Sequence, residues 1–338
     1  MMRAVVLREL GEPDQLKIEE VAAPKPNKGE VVVQLKAAAL NRRDVWIRRG
    51  RYANIKLPII PGSDGSGVIV ETGDGVDSAL CGNEVVINPC LDWGENERVQ
   101  RVDFRILGLP DNGTYAEYVC IPAINVYSKP TNLSWEESAA LPLAGLTAYR
   151  ALVSRANVQN GQTVLITGIG GGVASFALQI AKEIGARIFV TSGHADKLES
   201  AMDIGAEGGV NYKQDQWLSD LKKMIGNNGI DVVVDSAGGE SFDALLDLAK
   251  PGGTIVTYGS TLGPSDNVNI RRIFWKQLNI LGSTMGSPGD FENMLKFYSG
   301  HNLKPIIDSV FPLEETHKAH ARMEASTQFG KLVLNIAS

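Results

Sequence analysis

Residues 163–182, TVLITGIGGGVASFALQIAK, constrain the fold more than any other stretch of this chain. A short β-branched run ends in a glycine cluster, and the cluster opens directly into an amphipathic helix. Strand, tight glycine turn and helix, in that order, is how a parallel α/β sheet holds a phosphate. The glycines let the backbone approach a pyrophosphate, and the helix N-terminus offers free N–H groups and partial positive charge. Read as G-x-G-x-x-G from Gly168, the third glycine position falls on Val173. Read as G-x-x-G-x-x-G, the positions are Gly168, Gly171 and Ala174, with a helix starting at Gly172–Val173. The bland alternative is a turn without a ligand. It would leave four glycines costing backbone entropy with no evident packing gain.

The next strand, ARIFVTS (186–192), bears on which dinucleotide is bound. An NAD site usually ends this strand with an acid that accepts from the ribose hydroxyls. Here the strand runs out at Thr191-Ser192-Gly193-His194. A hydroxyl and a cation suit a 2′-phosphate that a carboxylate would repel. Ser192 and Lys197 are placed for that, and Tyr212 could add a hydroxyl. Asp196 falls on the first turn of the following helix. The expectation is NADP(H) over NAD(H), against the plainer reading of Lys197 as a solvated helix residue.

A chain of 338 residues suggests two domains. Residues 1–125 are β-rich, with Pro and Gly punctuation, and suggest a small twisted antiparallel barrel. Residues 126–284 alternate helices with short apolar strands and suggest a doubly wound parallel sheet. KPIIDSVFP and KLVLNIA, after a helix at 290–299, suggest that residues 285–338 return to the first domain. Residues 91–112 are polar and patternless and read as the one long loop. A net charge of −6 without a basic run argues against nucleic acid. No apolar run is long enough for a bilayer and no signal peptide is evident, so no membrane partner is expected. Cys81, Cys90 and Cys120, an odd number widely spaced, read as reduced thiols of a cytoplasmic protein.

AAALNRRD and LPIIPGSDGSGVIVETG lie in the β-rich part. GTYAEYVCIP and AALPLAGLTAYRAL lead into the glycine turn, and GKLVL lies near the C-terminus. In this order, over essentially the whole chain, the pattern resembles the medium-chain dehydrogenase/reductase superfamily. That resemblance implies a GroES-like domain beside a Rossmann domain, with an active site in the cleft between them. It also implies a homodimer or homotetramer paired through Asn279–Met285.

The superfamily divides by metal. Where the zinc branch has its three catalytic ligands, this chain has Asn41 (in Asn41-Arg42-Arg43-Asp44), Ser63 (in Gly62-Ser63-Asp64) and Leu143. These residue types do not hold zinc usefully. His317 and His320, three apart, read as a solvated helix face. The structural-zinc lobe is reduced to Cys90, with Trp93, Glu95 and Glu97 in its area. No metal is expected.

Without a metal, a hydride acceptor must already be electrophilic, as a quinone or an α,β-unsaturated carbonyl is. The resemblance is to the zinc-free quinone oxidoreductase branch, matched by LNRRD and by Arg49–Tyr52. It implies that Asn41 and Asp44 form the cleft wall and that Tyr52 projects toward the nicotinamide. Asn41 either donates its amide to substrate or cofactor or caps the following helix. Asp44 orients neighbours, with Arg42 or Arg48 as partner. Tyr52 is either the proton donor or a rim aromatic. The resemblance also places Thr147, Gly171, Gly172, Val173, Ser236, Ala237, Tyr258, Gly259 and Lys331 at the cofactor. Rival readings are an alcohol dehydrogenase, an acyl-thioester enoyl reductase drawing charge from Arg271, Arg272 and Lys276, and a non-catalytic NADPH-binding sensor.

Overall fold

The computed structural model describes residues 1–336 and divides the chain into two compact units. One is Met1–Ala144 with Ser287–Ser338, and the other is Gly145–Gly286. Ala337, the last residue of KLVLNIA, lies outside the described residues.

The second unit is a six-stranded parallel sheet. Its spatial order is Gly208–Asn211, Arg187–Ser192, Thr163–Ile166, Ile230–Asp235, Ala249–Thr257, Asn279–Gly282. In chain order this is 3-2-1-4-5-6, the doubly wound arrangement whose order reverses beside the first strand. The strands read as unbroken apolar runs because both faces are covered. All four residues of Thr163–Ile166 are buried, as are Val232, Val233 and Val234. The glycine helix runs Gly172–Ile184 and stops at Gly185, whose φ of +86° gives the left-handed cap that glycine adopts without strain. It buries Phe176, Leu178 and Ile180.

The first unit is built on a seven-stranded sheet around Glu30–Ala39. That strand pairs antiparallel with Asp64–Thr72, with Tyr118–Pro122 at one end and with Lys331–Asn335 at the other. The Lys331–Asn335 strand therefore returns to the first unit, as does Ile307–Pro312. The two are parallel and are joined through the helix Thr316–Glu324, an exception to the antiparallel pattern expected here. Leu35, Ile47, Ile69, Val119 and Leu332 share one buried core.

The first domain boundary differs from the sequence reading: the first unit runs to Ala144 rather than 125. Val126–Ser128 pairs with Glu84–Ile87, so the first unit's sheet continues past residue 125. The helix Trp135–Ala140 also belongs there. Its Ala139 and Ala140 pack on Ala37, Ala39 and Val333, small residues that permit close approach. The stretch 91–112 is not wholly irregular. Cys90–Leu91 pairs with Arg105–Ile106, and Trp93, 2% exposed, meets Phe104 edge-on at 5.4 Å. Among the described residues no helix is long and apolar enough to cross a membrane.

Candidate functional site

In the second unit, the carboxyl ends of the central strands gather the residues expected at a dinucleotide. Gly168 and Gly170 have φ of +67° and +106°, a region that L side chains adopt only with strain. Gly171 is the N-cap of the glycine helix and carries no side-chain cap, so the first N–H groups there are left for a ligand. Gly172 and Val173 form the first turn. The turn is pinned from the neighbouring strand: Ile169 N–H donates to the Thr191 carbonyl at 2.8 Å, and Gly168 N–H to Thr191 Oγ1 at 3.2 Å. On the other side, Thr167 Oγ1 donates to Asp235 Oδ1 at 2.7 Å. Asp235 also accepts from the N–H groups of Ala237 and Gly238, which fixes the loop carrying Ser236 and Ala237. Gly259 is a close approach, since a Cβ there would lie 3.1 Å from the Ser236 carbonyl oxygen. Tyr258 is tied to the same loop, its N–H donating to the Asp235 carbonyl at 3.0 Å.

Lys197 is not a solvated helix residue. It is buried, and its side chain lies over the glycine turn, so that a Cβ on Gly170 would sit 2.6 Å from Lys197 Cδ and 3.1 Å from its Nζ. Ser192 is buried at the tip of its strand, and its Oγ accepts from His194 N–H at 3.2 Å. Tyr212 and Lys213 fold over the next residue: a Cβ on Gly193 would lie 2.9 Å from Tyr212 Oη and 3.1 Å from Lys213 Nζ. Lys213 was absent from the sequence reading. Asp196 is exposed on the first turn of the helix Ala195–Ile204. Open glycine backbone, an uncapped helix start, two lysines and two hydroxyls fit a phosphate-bearing dinucleotide. Thr147 is buried in the helix Pro142–Tyr149.

In the first unit, Asn41, Asp44 and Lys331 come together with residues that sequence reasoning passed over. Asn41 precedes the helix Arg42–Arg48, and its backbone N–H donates to Asp44 Oδ2 at 2.8 Å. Its side-chain amide turns elsewhere. Nδ2 donates to Asp64 Oδ2 at 2.9 Å, and Oδ1 accepts from Lys331 Nζ at 2.8 Å. Lys331 Nζ also donates to Asp64 Oδ2 at 2.9 Å. Lys331, expected at the cofactor, is thus engaged within the first unit. Asp64 is a fully buried carboxylate, and the ammonium is its counter-charge. Leu143 N–H completes the set with 2.9 Å to Asp64 Oδ1.

Asp44 is 1% exposed and pairs with neither Arg42 nor Arg48. Arg42 reaches Ser326 Oγ, while Arg48 meets Glu324 and the Gly11 carbonyl. Asp44 instead accepts a hydrogen bond from Tyr115 Oη at 2.8 Å, and its Oδ1 has no partner. Burial pushes the Asp44 carboxyl above its ordinary range, opposed by the nearby Arg43 guanidinium. Burial also raises Tyr115, with Asp44 adding to the effect, so Tyr115 is the donor of the pair.

Arg43 is 8% exposed. Its Nη1 donates to Ser63 Oγ at 2.7 Å and to the Leu107 carbonyl at 2.9 Å. Its guanidinium lies 5.1 Å over the ring of Tyr52, which is half-buried against the unit's core. Tyr52 thus joins the cluster through Arg43. The glycine before Ser63 could not be replaced, because a Cβ on Gly62, at φ +96°, would strike Tyr115 and Thr114.

His320 corrects another reading. It is fully buried, neither ring nitrogen has a partner, and burial next to Arg48 lowers it to about 3. Among the described residues, no three His, Cys, Asp or Glu side chains are grouped to hold a metal.

Asp64 and Arg43 were visible only as letters beside Ser63 and Asn41. Their partners stand far off in the chain, so no local pattern marked them.

The comparisons agree with both halves of this description. A model of the alcohol dehydrogenase GroES-like domain matches residues 27–131, and one of a zinc-binding dehydrogenase matches residues 172–300. A zinc-type alcohol dehydrogenase-like protein of Schizosaccharomyces pombe is 36% identical over 346 residues, covering 99% of each chain. The quinone oxidoreductase of Homo sapiens is 30% identical over 343 residues, covering 99% of this chain and 98% of that one. A crystal structure of an NAD-dependent alcohol dehydrogenase, 41% identical, superposes with a TM-score of 0.93 over 99% of this chain and 100% of that one. A GroES-like unit, a 3-2-1-4-5-6 parallel sheet with a glycine turn for a nicotinamide dinucleotide, and full-length relatives of this kind lead to one assignment: the chain belongs to the medium-chain dehydrogenase/reductase superfamily of oxidoreductases.

Proposed function

We propose that the protein is an NADPH-dependent reductase of quinones or α,β-unsaturated carbonyls that works without zinc. The observation that carries this reading is what surrounds the three zinc-ligand positions. The Asn41 side-chain oxygen Oδ1 accepts from the Lys331 ammonium and the Ser63 hydroxyl oxygen from the Arg43 guanidinium, while Leu143 offers Asp64 a backbone N–H. A divalent cation would meet no thiolate or imidazole there, the one carboxylate, Asp64, is already engaged by the Lys331 ammonium, and the Arg43 guanidinium holds the Ser63 oxygen.

Lys197, Lys213, Tyr212 and Ser192 at the tip of the second strand support NADPH. A 2′-phosphate gains two cations and two hydroxyl groups there, with no acid at the tip to repel it. The bound dinucleotide supplies the hydride. This chain's residues bind it through the turn at Gly168, Gly171, Gly172 and Val173, with Ala237, Tyr258 and Gly259 at its flank. Tyr52 is the side chain proposed to return a proton to the reduced acceptor. Asn41 and Asp44 hold the wall of the acceptor site through Lys331, Asp64 and Tyr115.

Three free cysteines favour a reducing, cytoplasmic setting. The outer strand Asn279–Gly282 has one unpaired, exposed edge and is the surface proposed to join two copies. Two of the three charges proposed for the enoyl-thioester reading are engaged, while Arg271 is exposed. Arg272 is paired with Asp243, and Lys276 donates to the carbonyls of Leu246, Asp247 and Ala249.

The test is to saturate the protein with NADPH and present quinones, enones, primary alcohols with NADP⁺, and an enoyl thioester. Turnover confined to quinones or enones is expected. Turnover of alcohols alone, or NADPH binding with no acceptor reduced, would contradict the reading.

A further inference from the structure

Three asparagines of this chain precede a glycine: Asn112, Asn160 and Asn228. A glycine has no Cβ to shield its nitrogen, so at these places a backbone amide can reach the preceding side chain. All three asparagines are exposed, and what separates them is how the fold restrains the two groups. A hydrogen-bonded N–H is held in place and keeps its proton, so it does not attack. At Asn112 both groups are engaged. Its Oδ1 accepts from Ile60 N–H at 3.0 Å, and Gly113 N–H donates to the Ile60 carbonyl at 2.7 Å. Gly113 is packed so closely that a Cβ on it would lie 1.9 Å from the Gly62 carbonyl oxygen. At Asn160, Gly161 N–H donates to the Gly185 carbonyl at 2.9 Å. The Asn160 amide lies against Gly185, with Oδ1 2.4 Å from where a Cβ there would stand. Asn228 has neither restraint. It ends the short 3-10 turn Gly226–Asn228. Among the described residues its side chain makes no hydrogen bond, and Gly229 N–H makes none to cap the turn. Gly226 and Gly229, on either side, have φ of +74° and +67°, so the backbone there is built from the residue with the most conformational freedom.

We infer that Asn228–Gly229 is a site of spontaneous modification, at which the asparagine converts to aspartate and isoaspartate. The inference is independent of the reductase reading. The Gly229 nitrogen loses its proton, and its electron pair forms a bond to Asn228 Cγ. The bond from Cγ to Nδ2 breaks, and the side-chain nitrogen takes up a proton and leaves as ammonia. A cyclic imide remains. Water, the one co-reactant, adds to either imide carbonyl and opens the ring, giving aspartate by one route and isoaspartate by the other. Either product places a new negative charge on the turn. Isoaspartate also lengthens the main chain by one carbon just ahead of the strand Ile230–Asp235. There the Asp231 carboxylate accepts from Thr163 N–H at 2.8 Å and pairs with Lys250. The turn lies at the amino end of that strand, and Ser236 and Ala237 follow its carboxyl end. The new charge therefore arises at the end of the sheet opposite the proposed dinucleotide site.

The experiment incubates the full-length protein, folded and in urea, at mildly alkaline pH, where the glycine nitrogen loses its proton more readily. Trypsin then places the three asparagines in separate peptides. In the folded protein, the mass shift of an amide turned into an acid is expected in the peptide that holds Asn228, well before the other two. Fragmentation should put the shift on Asn228 and resolve an aspartate and an isoaspartate form. In urea all three peptides should gain the shift together, because the restraints at Asn112 and Asn160 belong to the fold. Asn228→Gln, a change at an exposed position, should abolish the early shift in its peptide. Folded protein that converts first at Asn112 or Asn160 overturns the inference. So does an order in urea that matches the order in the folded protein, because local sequence alone would then account for it. An Asn228→Gln protein whose peptide gains the mass at the wild-type rate overturns it too.

Discussion

Lys331 and Asp64 lie 267 residues apart in the chain and form a buried ion pair, with Nζ 2.9 Å from Oδ2 and side-chain exposures of 2% and 0%. The pair joins the last described strand to Asp64–Thr72 across Glu30–Ala39, which pairs with both. Asn41 bridges it, and Leu143 N–H satisfies the remaining carboxylate oxygen. Removing the cation alone leaves a buried carboxylate uncompensated. Lys331→Met is therefore expected to lose about 3–5 kcal/mol of stability in the first unit. Lys331→Met with Asp64→Asn should recover much of that. Urea unfolding of the three proteins checks it. Affinity for 2′,5′-ADP should be unchanged in a folded Lys331→Met protein, because the ammonium is engaged in the first unit. A large loss of that affinity would return Lys331 to the cofactor.

His320 sets an acid limit on stability. Its folded value, about 3, lies below the ordinary 6.5, because burial and the neighbouring Arg48 disfavour the charged ring. Below pH 6.5 the unfolded chain takes up a proton that the folded chain refuses, so stability from this group is complete above 6.5 and drains as pH falls toward 3. His320→Phe keeps an aromatic ring against Tyr115, whose ring lies 6.1 Å away edge-on, and removes that proton. The difference in unfolding free energy between wild type and variant should therefore fall as pH is lowered from 7 to 4. A difference independent of pH would contradict the account.

Gly170→Ala tests the glycine turn. An alanine there is strained at φ +106°, and its Cβ collides with Lys197 Cδ. The flexible lysine can give way, but then its ammonium leaves the turn. Affinity for NADPH is expected to fall by about tenfold or more, with a melting temperature lowered by about a few degrees through the backbone strain. Isothermal titration measures it. Undiminished binding would show that the turn does not meet the dinucleotide.

Cofactor choice is tested by Lys197→Ala combined with Lys213→Ala. Each lost cation removes a charge-assisted contact to a 2′-phosphate and nothing from a ribose hydroxyl. The ratio of NADH to NADPH dissociation constants should collapse by about 100-fold or more, through weaker NADPH binding. Loss of both affinities alike, or a wild type that already prefers NADH, would contradict it.

Much of this was legible in the chain and some was not, for identifiable reasons. The strand at Thr163–Ile166, the turn and the helix start at Gly172 are local, and local chemistry marks them: β-branched residues, then glycines, then an apolar stripe. Lys197 was visible as a cation near the strand tip. That it lies back over Gly170 is a tertiary fact. Lys213 lay one residue beyond Tyr212 with nothing to distinguish it. In the first unit, the absence of zinc ligands at Asn41, Ser63 and Leu143 could be read, but not what stands there instead. Lys331 with Asp64, and Arg43 with Ser63 and Leu107, are long-range contacts brought together by sheet pairing and loop closure. His320 read as solvated because its neighbours Glu315, His317 and Lys318 are polar. The helix Thr316–Glu324 nonetheless turns Ala319, His320 and Met323 inward. The first unit's extension to Ala144 was hidden because Val126–Ser128 is three residues long and carries no periodicity to read.

The most direct test of the central claim is the rate of NADPH oxidation by a quinone in protein exhaustively treated with a chelator, with metal content measured on the same sample. The account predicts an undiminished rate at negligible zinc, because Arg43 and Lys331 are bonded to the residues at the ligand positions. A rate lost on chelation and restored by stoichiometric zinc would contradict it.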